Sequence, residues 1–275
     1  MNVNGHRCGY VPERRIQVLT TIILVIRGRG PRCVFPKYRH LLWRSMSVLR
    51  KRVTVVCGHY GTGKTNLSLN LALDAAEAGE KVTLIDMDIV NPYFRSSDHA
   101  RELEAKGVRV IGPNFANSNL DTPSLPPMIG DAIAEDEKVI IDVGGDDAGA
   151  TALGTYSRQV SGADPEVVYV VNRYRSQTTT PEESVEILRE IEAAARIRAT
   201  CIANNSHLKQ HTTADTVLDS VPFAEKVSEL TGLPIIFHTV PVGVDILNRI
   251  PDYYRVRVLV KAPWEEAESD AEGHC

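Results

Sequence analysis

The sequence predicts a three-layer α/β fold, a mostly parallel sheet with helices on both faces. Three observations carry this. Short β-branched runs and helical stretches alternate from Arg52 onward, the pattern that builds parallel sheets wrapped by helices. Several runs, such as Val139-Ile-Ile and Val167-Val-Tyr-Val-Val, are continuously apolar, as strands buried on both faces are. And 275 residues at 43% hydrophobic and 24% charged supply ample core for one large domain, which excludes a fibrous or fully disordered chain.

In order, the first strand is Val53-Thr-Val-Val-Cys57, followed by a glycine-rich loop and a helix from about Thr65 to the glycine at 79. Strands follow at residues 81–86, 108–111, 138–142, 166–171, 199–204 and 234–240, and residues 254–260 alternate as an edge strand would. Helices are expected near 98–106, 128–134, from 181 to about 197, and across 214–231 as one element. Thr180-Pro-Glu-Glu183 opens the third of these as a capping box with proline in the first turn. Residues 112–127, rich in Asn, Pro and Ser, read as a long loop. Its polar members Asn114, Asn117, Asn119 and Asp121 suit the wall of a substrate pocket. Residues 46–264 show no internal repeat and no linker, so they read as a single domain.

The ends differ from this body. Residues 1–45 hold nine Lys/Arg against the single acid Glu13, a balance of +8; with a total of −4, the remainder carries −12. The basic start and the apolar run from Ile16 to Ile26 resemble a signal peptide, but Arg27-Gly-Arg-Gly-Pro-Arg32 stands where a small-residue cleavage site belongs. The segment reads as a disordered extension with Met46 as a natural start, and a basic arm or a targeting segment remains open. Residues 265–275 read as an acidic disordered tail. No run reaches the roughly 18 apolar residues of a spanning helix. An acidic body argues against broad nucleic-acid or anionic-membrane binding. Five scattered cysteines without a C-x-x-C pair fit a reducing, cytoplasmic setting, with Cys57 and Cys201 as small core residues.

The chemistry starts at Gly58-His-Tyr-Gly-Thr-Gly-Lys-Thr65, the G-x-x-x-x-G-K-T phosphate-binding loop. Its backbone N–H groups are expected to cradle phosphates, helped by the positive end of the following helix. Lys64 would reach the β- and γ-phosphates and the Thr65 hydroxyl would hold Mg²⁺. Gly58, His59, Tyr60, Gly61, Thr62, Gly63, Lys64, Thr65 and Asn66 are thus the candidate nucleotide-binding residues. Hydrolysis needs more than a cradle, and in open parallel sheets the remaining groups gather at the carboxyl ends of strands. Two strands end in aspartate: Asp142 closes Val139-Ile-Ile-Asp, and Asp86 with Asp88 closes Leu84-Ile-Asp-Met-Asp88. Asp142 has the placement of a carboxylate that holds Mg²⁺ directly or through water; strand-end aspartates also cap helices.

Taken together, these motifs resemble the CobQ/CobB/MinD/ParA nucleotide-binding proteins, the MinD/ParA-like P-loop ATPases, over residues 46–264. The order matches: Gly61-Thr-Gly-Lys-Thr65, then Leu84-Ile-Asp-Met-Asp88, then Ile140-Ile-Asp142. A bacterial branch with a G-H-Y-G-[ST]-G-K-T loop followed by D-[LM]-D-I-V-N-P-Y-F-R is the most similar part of that group. The resemblance implies an ATP- and Mg²⁺-dependent P-loop NTPase, slow and partner-dependent. In it Asp88 orients the attacking water, and Asp86 and Asp142 stand in the metal's outer shell. It implies that Asn204, or the adjacent Asn205, bonds the adenine. It places nucleotide-sensing switches at residues 89–95 and 143–149, and it implies a nucleotide-dependent homodimer acting with a protein partner. Tyr93 and Phe94 beside Arg95 suit either a partner contact or packing under their own loop. One departure stands out: the family's signature lysine falls on His59 and the next glycine on Tyr60. The body lacks the bridging cysteines of the iron–sulfur carriers in the group and the basic terminal helix of its membrane-bound members. Three functional readings follow: a nucleotide-driven switch on a protein partner, an ATP-dependent transferase or ligase acting on a small molecule, and a non-hydrolysing ATP-sensing scaffold.

Overall fold

In a computed structural model the described residues are 50–88, 96–113, 126–145, 147–246, 249–250 and 252–260. The two end segments, the first expected switch at 89–95 with Tyr93, Phe94 and Arg95, and Asn114, Asn117, Asn119 and Asp121 of the long loop lie outside them.

Eight strands form one sheet: β1 (Val53–Cys57), β2 (Val82–Asp86), β3 (Val108–Ile111), β4 (Lys138–Asp142), β5 (Glu166–Val171), β6 (Cys201–Asn204), β7 (Ile235–Pro241) and β8 (Tyr253–Val256). Their order is β3-β2-β4-β1-β5-β6-β7-β8, and every pairing is parallel. Among the described residues the α-helices are α1 (Lys64–Glu77), α2 (Ala100–Ala105), α3 (Met128–Ala134), α4 (Asp147–Thr155), α5 (Ser157–Gly162), α6 (Pro181–Ala195), α7 (Ala214–Leu218) and α8 (Val221–Thr231).

Side chains that alternate along each strand feed two cores. Val53, Val55 and Cys57 of β1 pack with Ile129 of α3, Leu153 of α4, Leu188 of α6 and Phe223 of α8. Val56 faces the other way, with Leu67, Leu69 and Leu73 of α1 and Leu103 of α2. Helices therefore cover both faces, which is why β1, β2, β4 and β5 are buried along their whole length. Strands β2, β3 and β4 lie on one side of β1 and β5 to β8 on the other, so the chain reverses direction at β1. The carboxyl ends of strands at such a reversal open onto a crevice.

The structure corrects three expectations. The helix expected over 214–231 is two helices, because Pro222 has no N–H to bond the carbonyl four residues back. The chain restarts at Ser220, whose hydroxyl bonds the Val217 carbonyl at 2.6 Å. The edge strand stops at Val256, since the next backbone groups bond α1 instead: Arg257 N–H donates to Asn70 Oδ1 at 2.8 Å and Leu259 N–H to Asn66 Oδ1 at 2.8 Å. Helices α4 and α5 form where the sequence pattern predicts none. The α4 sequence is DAGATALGT, in which two glycines and two threonines offset the propensity of its alanines and leucine. A Cβ at Gly154 would stand 2.6 Å from the Ala194 carbonyl oxygen, so the glycine that weakens the helix is what lets it press against α6.

Candidate functional site

The loop from Gly58 to Gly63 leaves β1 and enters α1 through Gly63, which sits at φ 85° as the N-cap. No side chain caps α1 and its first turn carries no acid, so its first N–H groups face the loop's interior unneutralised. Lys64 is only 6% exposed and its ammonium donates to the His59 carbonyl at 3.0 Å, folding the side chain back over the loop. The same carbonyl accepts from the Thr62 hydroxyl at 2.8 Å and the Thr62 N–H at 3.3 Å. Thr62 is buried, while Tyr60 turns outward and is 56% exposed.

The strand-end carboxylates meet beside this loop. Asp86 and Asp142 are register partners on adjacent strands, both buried, and Asp86 accepts from the Asp88 N–H at 2.9 Å. Asp142 accepts from the Ser68 hydroxyl at 3.2 Å, the Ser96 hydroxyl at 2.5 Å and the Thr65 hydroxyl. Burial pushes its pKa up, opposed by the Ser96 bond, the nearby Lys64 charge and the Thr65 and Ser68 bonds. Three hydroxyls thus hold one carboxylate near the Lys64 charge at the mouth of the helix.

The segment after β4 closes on the loop. A Cβ at Gly145 would stand 2.6 Å from Tyr60 Cα, 2.7 Å from Tyr60 N and 2.8 Å from Lys64 Nζ, so only glycine fits there. This belongs to the stretch 143–149 expected as the second switch.

Both candidate adenine residues are buried and engaged. The Asn204 amide lies 2.9 Å from the Ser220 hydroxyl and 2.9 Å from His238 Nδ1. Pairing with a base would require it to leave these partners. Asn205 donates to the Thr62 carbonyl at 2.6 Å and accepts from the Thr239 hydroxyl at 2.7 Å, tying β6 and β7 to the back of the loop. The Asn66 side chain turns to the C-terminal segment, donating to the Arg257 carbonyl at 3.0 Å, and so contributes no side-chain group to the cradle. No sequence motif singles out Ser68, Ser96 or Thr239. Ser68 was legible, one helical turn beyond Thr65 on the same face; Ser96 and Thr239 arrive through tertiary packing alone. Cys57 and Cys201 are buried free thiols, each pushed up to about 12 by burial.

A strand–loop–helix with an open helix end, a buried lysine and two strand-end aspartates at the reversal of a parallel sheet defines a P-loop nucleotide-binding protein. Residues 53–233 match the CobQ/CobB/MinD/ParA nucleotide binding domain, and the chain belongs to that family. No curated protein matches it. Solved structures similar to it include FtsY from Mycoplasma mycoides, at 20% identity over 68% of this chain and 58% of that one, with a TM-score of 0.47. FtsY from Thermotoga maritima is similar at 21% identity over 80% and 68%, TM-score 0.45. The 54 kDa signal recognition particle protein of Aeropyrum pernix K1, solved with GDP, is similar at 18% over 81% and 53%, TM-score 0.46. The chain thus spans 58% of the first of these and 53% of the last. Among the described residues no helix is long and apolar enough to cross a membrane.

Proposed function

We propose that this protein is a Mg²⁺-dependent ATPase that works as a nucleotide-driven switch on a protein partner, in a reducing cytoplasmic setting. The observation that carries the reading is the convergence of Lys64, Thr65, Asp86 and Asp142 on the uncapped end of α1. Among the described residues no three His, Cys, Asp or Glu side chains are grouped to hold a metal by themselves. The donor set instead suits Mg²⁺ shared with phosphate oxygens and water, as such sites use it. Thr65 would give its hydroxyl, and Asp142 and Asp86 would hold the ion through water. Magnesium bound there neutralises charge on the triphosphate.

The chain's own groups do the rest. Lys64 exchanges the His59 carbonyl for a phosphate oxygen, and the N–H groups of α1 and the loop take up the others. Thr65, which bonds the Asp142 carboxylate here, would turn its hydroxyl oxygen to the metal. Asp88, at the end of the same strand segment as Asp86, accepts a hydrogen bond from the attacking water and orients it. Gly145 lies against Tyr60 and Lys64, so a phosphate that moves Lys64 also moves the 143–149 segment, and this is the switch. Asn204 or Asn205 at the end of β6 gives the preference for adenine. Nucleotide also drives a homodimer.

Phosphate release by the full chain tests this. We expect slow turnover with ATP that needs Mg²⁺ and falls at least tenfold in Asp88→Ala, with a rise in mass by light scattering on adding ATP. Unchanged turnover in Asp88→Ala removes its catalytic role, and absence of turnover in every condition removes the ATPase.

A further inference from the structure

The loop between β5 and α6 runs alongside the phosphate loop, and its turns are fixed from within. Tyr174 N–H donates to Asn172 Oδ1 at 3.0 Å, Arg175 N–H to the Asn172 carbonyl at 3.3 Å, and the Thr178 hydroxyl to that same carbonyl at 2.7 Å. Its neighbours are anchored elsewhere: Arg173 N–H donates to Ser206 Oγ at 3.0 Å and the Tyr174 hydroxyl to the Thr216 carbonyl at 2.6 Å. Arg175 is left lying across the phosphate loop. A Cβ on Gly61 would meet its Nε at 3.5 Å, its Cδ at 3.6 Å and its Cζ at 3.8 Å, ordinary contact distances.

Two buried donors here have no acceptor. Arg175 Nε is shielded from solvent and unbonded, and so is His207 Nε2. His207 is 7% exposed, and its Nδ1 accepts from the Lys209 N–H at 3.2 Å, which puts the proton of the neutral ring on Nε2. The Arg175 charge is close enough to help burial push His207 down to about 4, so the ring stays neutral beside it. Buried donors without acceptors are rare in folded proteins and point to an absent acceptor-rich group.

We infer that Arg175 is a second cation for the phosphate chain of the bound nucleotide, supplied in cis from the β5–α6 loop, with His207 Nε2 as a neutral donor beside it. This rests on the nucleotide reading above. Lys64 approaches from α1, Arg175 from across Gly61, and a polyanion between them satisfies both. A guanidinium suits this place, because its planar fork takes two oxygens at once and keeps its charge when partly buried.

The test is equilibrium titration of the full chain with fluorescent ATP, ADP and AMP in the parent, Arg175→Ala, Arg175→Lys and Lys64→Ala, with melting curves taken without nucleotide. We expect Arg175→Ala to weaken ATP binding by about tenfold or more, the size of a lost charge-assisted bond. AMP binding should change less, the ionic-strength dependence of ATP binding should flatten, and Arg175→Lys should recover part of the loss. The Arg175→Ala melting temperature should equal or exceed the parent's, since an unbonded buried donor is removed. If ATP binding in Arg175→Ala equals the parent's while Lys64→Ala loses it, the inference about Arg175 falls and the nucleotide reading stands. If Arg175→Ala melts well below the parent, or weakens AMP as much as ATP, Arg175 is a packing residue. If the parent binds no nucleotide, both fall.

Discussion

Gly145→Ala is the substitution whose consequence follows most directly from the structure. The added methyl would stand 2.6 Å from Tyr60 Cα and 2.7 Å from Tyr60 N, both backbone atoms that no rotamer change can move. Reaching the 3.4 Å of ordinary contact requires the phosphate loop and the 143–149 segment to part by ~0.8 Å. Overpacking of this kind costs ~1–3 kcal/mol, which in a domain of this size lowers the melting temperature by roughly 3–10 °C. The loop is displaced at its phosphate-facing backbone, where about 1 Å can cost a hundredfold in rate, so nucleotide turnover should fall further than stability does. Gly130→Ala is the control. That glycine lies inside α3 with nothing within 4 Å of its added methyl, and the exchange should stabilise by ~0.5–1 kcal/mol. Paired melting curves and phosphate-release rates read both. Gly145→Ala indistinguishable from the parent in both measurements would refute the packing of that segment on the loop.

Two further outcomes are expected. Asn70, buried in α1, holds the Arg257 backbone by its N–H at 2.8 Å and its carbonyl at 2.9 Å; Asn70→Ala leaves the N–H unbonded while the carbonyl keeps Asn66, and should cost ~1–3 kcal/mol in denaturant unfolding, and a loss well below about 1 kcal/mol would show that water replaces the amide. His207 sits at about 4 when folded against 6.5 when unfolded. The unfolded chain therefore binds the extra proton first as pH falls, so stability present above pH 6.5 is lost progressively down to about 4, up to ~3 kcal/mol in all. His207→Gln should flatten that slope, and equal slopes in both proteins would contradict the burial of a neutral ring.

How much of this was legible in the sequence depends on whether local chemistry or tertiary placement decided each element. Strands β3, β4 and β5 and helix α3 have the boundaries their sequences predict; in β4 and β5 apolar runs flanked by turn residues leave little alternative, while β3 lies at the sheet edge and buries only Val108 and Ile111 fully. The capping box at Thr180 is present as read, with Thr180 N–H donating to Glu183 Oε2 at 3.0 Å and Glu183 N–H to the Thr180 hydroxyl at 3.2 Å. That Asp86 and Asp142 stand around one metal is implied by the family resemblance, but their adjacency as register partners needs the sheet order. Helix α4 is not legible in its sequence because Gly149 and Gly154 serve packing against propensity. Arg175 lay in a polar stretch with no motif, and only the fold sets it over Gly61.

The central claim is that residues 58–65 cradle the phosphates of a nucleotide with Lys64 as their principal cation. Titration of the full chain with fluorescent ATP and GTP, with and without Mg²⁺, in the parent and in Lys64→Ala addresses it directly. The account predicts saturable binding in the parent, tighter for ATP, and at least tenfold weaker binding in Lys64→Ala; equal affinity in the two proteins, or no binding in either, would contradict it.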